Sequence, residues 1–219
     1  MSRILPHVKI CCISTPEEAA LAISYGARAL GLVSAMPSGP GVITEEKIAK
    51  IVRTIPPGID SFLLTSLQDA PSIIAQQRAT RVTTIQLVDA IDDMVFAELR
   101  RALGSVTLVQ VIHVRNTGAL AEATHAARFA DALLLDSGNP ALPVKELGGT
   151  GRRHDWSLSR TIRDTVGLPV YLAGGLHSGN VEEAIETVRP FGLDLCSGVR
   201  TRGQLDEEKL SAFMRAALR

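Results

Sequence analysis

Cysteine and aromatic residues are scarce in this 219-residue chain, and neither sign of charge prevails. Three cysteines are present, two of them adjacent at Cys11 and Cys12, and neighbouring residues make a poor disulfide. A scaffold stapled by bridges is excluded, and a reducing, cytoplasmic compartment is expected. The spacing to Cys196 matches no zinc pattern, so no metal site is expected. Lys plus Arg and Asp plus Glu each number 23, giving a formal net charge of +0. No global field therefore favours nucleic acid or an anionic membrane surface, and any anion must be bound locally. No apolar run approaches the ~20 residues of a membrane-crossing helix, and Met1 to Pro6 lack the apolar core of a signal peptide. Absent too are linkers, low-complexity tracts and charge blocks, so residues 1–219 are expected to form a single domain.

What is there is alternation. Short apolar runs rich in β-branched residues recur along the chain, and amphipathic segments fill the gaps, the pattern of repeated βα units. Strands are predicted at Val8 to Ile13, Ala29 to Val33, Ile59 to Leu64, Val82 to Val88, Val106 to Val114, Ala132 to Leu135, Val170 to Ala173 and Leu193 to Cys196. A first helix enters at Thr15 with Pro16 at its first position, and a second is capped by Thr44 with Ile48, Ile51, Val52 and Ile55 at helical spacing. Further helices are predicted over 70–79, 92–103, 118–129, 157–166, 178–188 and 206–218. Eight such units predict a closed (β/α)₈ TIM barrel of the α/β class. A doubly wound open sheet competes less well, because the first βα turn carries no GxGxxG fingerprint.

Chemistry belongs at the carboxyl ends of barrel strands. The buried run Ala132 to Leu135 ends in Asp136, a candidate acid, although an Asp after a strand also serves as a cap. Cys11 ends the first strand, opposite Asp136 across the mouth, where a base would face an acid. A thiolate near neutral pH needs help, which Lys9 or a helix N-terminus can supply, and small core filler is the competing reading of Cys11 and Cys12. Three glycine-rich turns follow late strands: Gly148 to Gly151, Gly174 with Gly175, and Ser197 with Gly198. Glycine lets backbone amides approach an oxyanion, so Gly149, Thr150, Gly151, Gly174, Gly175, Ser197 and Gly198 are the candidate phosphate cradle. His113 is expected inside the barrel or at its lip, His177 on the surface, and Trp156 packed beside the start of its helix.

The segments Val8-Lys9-Ile10-Cys11, Ala29 to Val33, Ile85-Gln86-Leu87, Leu134 to Ser137, Gly148 to Gly151 with Asp155-Trp156, Leu172 to Leu176, Asn180-Val181, Val188-Arg189-Pro190 and Asp194 with Ser197-Gly198-Val199 occur in an order and spacing that resemble phosphoribosylanthranilate isomerase of tryptophan biosynthesis. The resemblance runs from residue 8 to the C-terminal helix. It implies a barrel without cofactor, an Amadori rearrangement of an aminoribose 5-phosphate, Cys11 as general base and Asp136 as general acid, with the glycine turns on the 5′-phosphate. The implied partner is a small phosphosugar, and association as monomer or homodimer is not legible.

Departures from the family pattern concentrate on the aromatic-acid half. Pro40 stands where the family has the arginine associated with the anthranilate carboxylate, and Val88-Asp89 replaces its usual His-Gly. Cys12 replaces the glycine after the base, and Arg200 stands where an acid usually follows Ser-Gly-Val. Arg200, Arg202 and Arg115 are candidate replacement cations, with Gln86 a further candidate substrate contact. The alternatives are a paralogous isomerase or lyase on another phosphosugar, and a catalytically silent barrel that binds a phosphorylated metabolite.

Overall fold

The computed structural model describes residues 5–219, so the Met1 to Ile4 part of the signal-peptide reading lies outside the described residues. Eight parallel strands close into a barrel in sequence order: β1 (His7–Ile10), β2 (Ala29–Val33), β3 (Asp60–Thr65), β4 (Thr84–Leu87), β5 (Thr107–His113), β6 (Ala132–Asp136), β7 (Val170–Leu172) and β8 (Gly192–Leu195). Closure comes from the parallel pairing of β1 with β8, which sets Lys9 opposite Asp194. Each strand leads into a helix: α1 (Pro16–Ser24), α2 (Glu45–Val52), α3 (Ala70–Thr80), α4 (Asp93–Ala102), α5 (Ala119–Ala126), α6 (Trp156–Val166), α7 (Val181–Val188) and α8 (Glu207–Ala217). A 3₁₀ turn at Ser197–Val199 and a two-stranded ribbon, β9 (Arg200–Thr201) with β10 (Gln204–Leu205), intervene before α8. No helix among the described residues is long and apolar enough to cross a membrane.

The helix starts follow local chemistry. Thr15, Thr44, Asp69 and Asp206 each accept a hydrogen bond from a backbone N–H of the first turn, satisfying donors the helix itself cannot. The buried face of α2 presents Ile48 and Ile51, worth roughly 1.5–3 kcal/mol each on full burial. Strand parity divides the core in two. Leu133 and Leu135 face the helices, whereas Ala132 and Leu134 fill the barrel interior, which points Asp136 inward as the next residue of that series. The same alternation turns Val8 and Ile10 outward and Cys11 inward on the first strand, and Leu193 and Leu195 outward on the last.

Several boundaries differ from the sequence expectation. The predicted first strand ran to Ile13, but β1 stops at Ile10 because Cys12 adopts φ +63°, a left-handed turn that interrupts the ladder. Pairing resumes beyond it, where the Ile13 amide donates to the Gly31 carbonyl at 3.0 Å. The predicted strands over 82–88 and 106–114 are each trimmed at both ends, although the Val88 and Val114 amides still donate to the Thr65 and Asp136 carbonyls of the neighbouring strands. The ribbon after β8 was not anticipated, because two-residue strands leave no periodicity to read.

Candidate active site

A cleft of about 690 Å³, counting its open mouth, lies at the carboxyl end of the barrel. Cys11 and Asp136 both line it, so the two candidates from β1 and β6 share one cavity. Gly149, Thr150, Gly151, Gly174, Gly175 and Ser197 line it as well, which brings all three glycine-rich turns to the same mouth. Gly198 is not among the lining residues; it packs its backbone onto the Leu176 carbonyl, where a Cβ would collide.

Asp136 is 8% exposed and accepts at Oδ1 from the Ser137 amide at 2.7 Å, while Oδ2 lies beside Gly148. Burial pushes this carboxyl above its ordinary range, and the Asp194 charge adds to the shift. The Ser137 amide and the His113 charge pull against it only in part. A carboxyl so placed takes up a proton more readily than one in water, as a general acid must. Ser137 also joins its hydroxyl to that of Thr150 at 2.6 Å, tying the strand end to the glycine turn.

Two buried charges sit in the barrel interior: Lys9, read from the sequence as a possible helper of the Cys11 thiolate, and Asp194, whose pairing with it the sequence reading missed. Lys9 Nζ donates to Asp194 Oδ1 at 2.8 Å, and Lys9 is fully buried. Burial is the largest influence and opposes the ammonium charge, yet the Asp194 charge and hydrogen bond, with the Cys11 and Cys12 sulfurs, together outweigh it and hold Lys9 above its usual range. A Cβ on Gly31 would lie 2.7 Å from Cys11 Sγ and 3.0 Å from Lys9 Nζ, so sulfur and ammonium converge on the one position that has no side chain. Asp194 itself lines the cleft. The available sequence signal was an opposite charge in the middle of the first and last apolar strands, which barrel closure makes neighbours.

Three thiols line the cleft: Cys11, Cys12 and Cys196. Contact with the Cys11 and Cys196 sulfurs, together with burial, pushes the Cys12 thiol up, whereas its hydrogen bond and the Arg200 charge bring Cys196 down. Cys12 carries a positive φ that only glycine adopts without strain, at a cost of about 1–3 kcal/mol. Its side chain fills the space over Gly41, where a Cβ would approach Cys12 Cβ to 2.5 Å. The Ser38–Gly41 loop then closes on the glycine turn: Pro40 Cδ lies 2.5 Å from where a Gly149 Cβ would be, and Ser38 Oγ donates to the Lys145 carbonyl.

The candidate cations fall elsewhere. Arg200 was carried forward as a substrate contact, but its guanidinium is buried against Glu18 and the carbonyls of Cys11, Cys12 and Gly203, and it does not itself line the cleft. Arg202 lies exposed in the turn between β9 and β10, and Arg115 reaches only Asn139 on the surface. No Lys or Arg lines the cleft among the described residues. Gln86 does line it, and its Oε1 is buried without a partner. The remaining wall is apolar: Val33, Met36, Leu64 and Leu147. His113 is buried with Nε2 3.0 Å from the Val88 carbonyl, His177 is exposed, and Trp156 is buried at the start of α6, each as expected. No group of residues suited to a metal ion occurs among the described residues.

Comparison with known proteins agrees with this architecture. The profile of the N-(5′-phosphoribosyl)anthranilate (PRA) isomerase family matches residues 8–216. A relative from Methanocella arvoryzae named N-(5′-phosphoribosyl)anthranilate isomerase is 34% identical over 206 residues, covering 94% of each chain. One from Methanosarcina mazei, named N-(5′-phosphoribosyl)anthranilate isomerase 2, is 37% identical over 214 residues, 96% of this chain and 93% of the relative. Among solved structures, phosphoribosyl anthranilate isomerase from Thermotoga maritima superposes with a TM-score of 0.82 at 27% identity, covering 98% of this chain and 99% of that one. A phosphoribosyl anthranilate isomerase solved in complex with reduced 1-(o-carboxyphenylamino)-1-deoxyribulose 5-phosphate superposes at 0.79 with 26% identity, over 98% and 99% of the two chains. With a barrel closed in the same way and a match along nearly its whole length, the chain belongs to the N-(5′-phosphoribosyl)anthranilate isomerase family.

Proposed function

We propose that the chain isomerises N-(5′-phosphoribosyl)anthranilate to 1-(o-carboxyphenylamino)-1-deoxyribulose 5-phosphate, with Asp136 as general acid and Cys11 as general base. The observation that carries this reading is that a carboxyl raised by burial and a strand-end thiol share one cleft whose remaining rim is the glycine turns. Protonated Asp136 gives its proton to the furanose ring oxygen. The C1′–O bond breaks as the aryl nitrogen lone pair forms the C1′=N iminium. Ionised Cys11 takes the C2′ proton, whose bonding electrons form the C1′=C2′ double bond and neutralise the nitrogen. The enol then ketonises: its hydroxyl proton is released, C1′ gains one, and acid and base return to their starting states. Backbone amides at Gly149 to Gly151, Gly174 and Gly175 hold the 5′-phosphate and so fix C2′ against the base.

The test is the decay of substrate fluorescence on adding purified protein. Loss of turnover by at least 10²-fold in both Asp136→Asn and Cys11→Ser is expected. Undiminished turnover in either variant removes that residue from its role. The apolar wall without a basic side chain favours a second reading, in which the same acid and base act on a phosphosugar whose aglycone is uncharged.

A further inference from the structure

Arg200 occupies a position that neither surface charge nor substrate binding explains. It is 8% exposed and spends its donors on backbone: Nη2 lies 2.6 Å from the Cys12 carbonyl and 3.1 Å from the Cys11 carbonyl, and Nη1 lies 2.9 Å from the Gly203 carbonyl. Glu18, in the first turn of α1, takes Nη1 at 2.8 Å. The other acceptor sites of Glu18 receive the Ser14 amide at 2.9 Å and the Leu205 amide at 2.8 Å. One partly buried ion pair thus ties the β1–α1 connection to the ribbon after β8, and the backbone it grips is that of the candidate base and of the left-handed residue beside it.

A non-glycine residue with positive φ persists only where its surroundings over-determine it. At Cys12 the carbonyl on one side and that of Cys11 on the other are both fastened by one guanidinium. Released, Cys12 relaxes toward negative φ, the peptide joining it to Cys11 rotates, and Cys11 Sγ leaves its place beside Gly31. We propose that Arg200, braced by Glu18, is a positioning residue that holds Cys11 at its working geometry by clamping the strained Cys11-Cys12 backbone. The proposal rests on the reading of Cys11 as general base.

The experiment is steady-state kinetics of Arg200→Met and Arg200→Lys, each alone and combined with Cys12→Gly. Lysine keeps a charge opposite Glu18 but lacks the fork that reaches two carbonyls, so it reports on the clamp even where the methionine variant folds poorly. The expected result is a fall in kcat of at least tenfold at a KM changed less than threefold. In the Cys12→Gly background the loss on substituting Arg200 shrinks below threefold, because glycine accepts the turn unaided. A purely structural role of Arg200 predicts equal losses in both backgrounds, and that outcome, or an unchanged kcat in Arg200→Lys, overturns the proposal. Full turnover by Cys11→Ser instead removes the base on which it rests, so the two failures are told apart.

Discussion

Lys9 and Asp194 face each other across the seam that closes the barrel, paired in strand register and joined Nζ to Oδ1 at 2.8 Å with Lys9 wholly buried. Removing one member strands the other. Lys9→Met is expected to cost roughly 3–5 kcal/mol of stability, because an uncompensated carboxylate remains in the interior. Replacing both, as Lys9→Met with Asp194→Leu, is expected to cost less than half as much. Denaturant titration of the three variants measures this, and a double variant no better than the single one would show that the pair matters through packing.

The general-acid role proposed for Asp136 sets activity against stability. Its folded-state proton affinity is raised by burial, so the folded chain holds that proton more tightly than the unfolded one. Its contribution to stability is complete below the unfolded carboxyl range near pH 3.9 and is lost as pH rises through the folded value. Above that range the buried carboxyl is therefore a burden, whether it holds its proton against solution or loses it. Asp136→Asn is expected to raise the melting temperature at pH 7 while abolishing turnover, with the gain vanishing toward pH 4. For the same reason wild-type kcat/KM should fall on the alkaline side as Asp136 loses its proton. A melting temperature lowered by Asp136→Asn at neutral pH contradicts the assignment.

The proposed phosphate cradle rests on close backbone approach at Gly174, where φ is +83° and a Cβ would lie 2.9 Å from the Arg152 carbonyl. Gly174→Ala is expected to raise KM at least tenfold and to weaken inhibition by inorganic phosphate equally. Gly167 provides the contrast: φ is +67° but nothing lies within 4 Å of an added Cβ. Gly167→Ala should lose about 1–2 kcal/mol of stability with KM unchanged. Equal KM values for the two variants would dissociate Gly174 from phosphate binding.

The eight-unit alternation was legible because strands buried on both faces read as apolar runs and several helices carried their own caps. Asp136, Cys11 and the glycine turns were legible for a related reason: each interrupts or ends such a run where a barrel places its site. The Lys9–Asp194 pair was harder, since a continuous apolar run conceals which parity faces the interior and only ring closure makes the first and last strands adjacent. Arg200 shows the limit more sharply. Sequence position put a guanidinium near the mouth, but its partners, Glu18 and two carbonyls from residues 11 and 12, are distant in the chain. Two of the departures from the family pattern, Cys12 and Arg200, proved to touch each other, which spacing alone does not express.

The aglycone end of the cleft yields the last prediction. Val33, Met36, Leu64 and Leu147 suit an aromatic ring, but among the described residues the charged side chains lining the cleft are Asp136 and Asp194, both acidic. A charge-assisted bond to a substrate carboxylate contributes roughly 1.5–3 kcal/mol, or about 10- to 150-fold in kcat/KM. Without such a partner, the ratio of kcat/KM for the anthranilate substrate over its aniline counterpart, which lacks the carboxylate, is expected to stay below tenfold. Lys145, whose carbonyl Ser38 touches, is a cation beside the mouth, and it is held in an ion pair by Asp89. A ratio above 100-fold that collapses in Lys145→Met would mean that this lysine leaves Asp89 for the substrate. A ratio below tenfold in both proteins would identify a site that recognises its ligand by ring and phosphate, and would make uncharged N-aryl aminoribose phosphates equally good substrates.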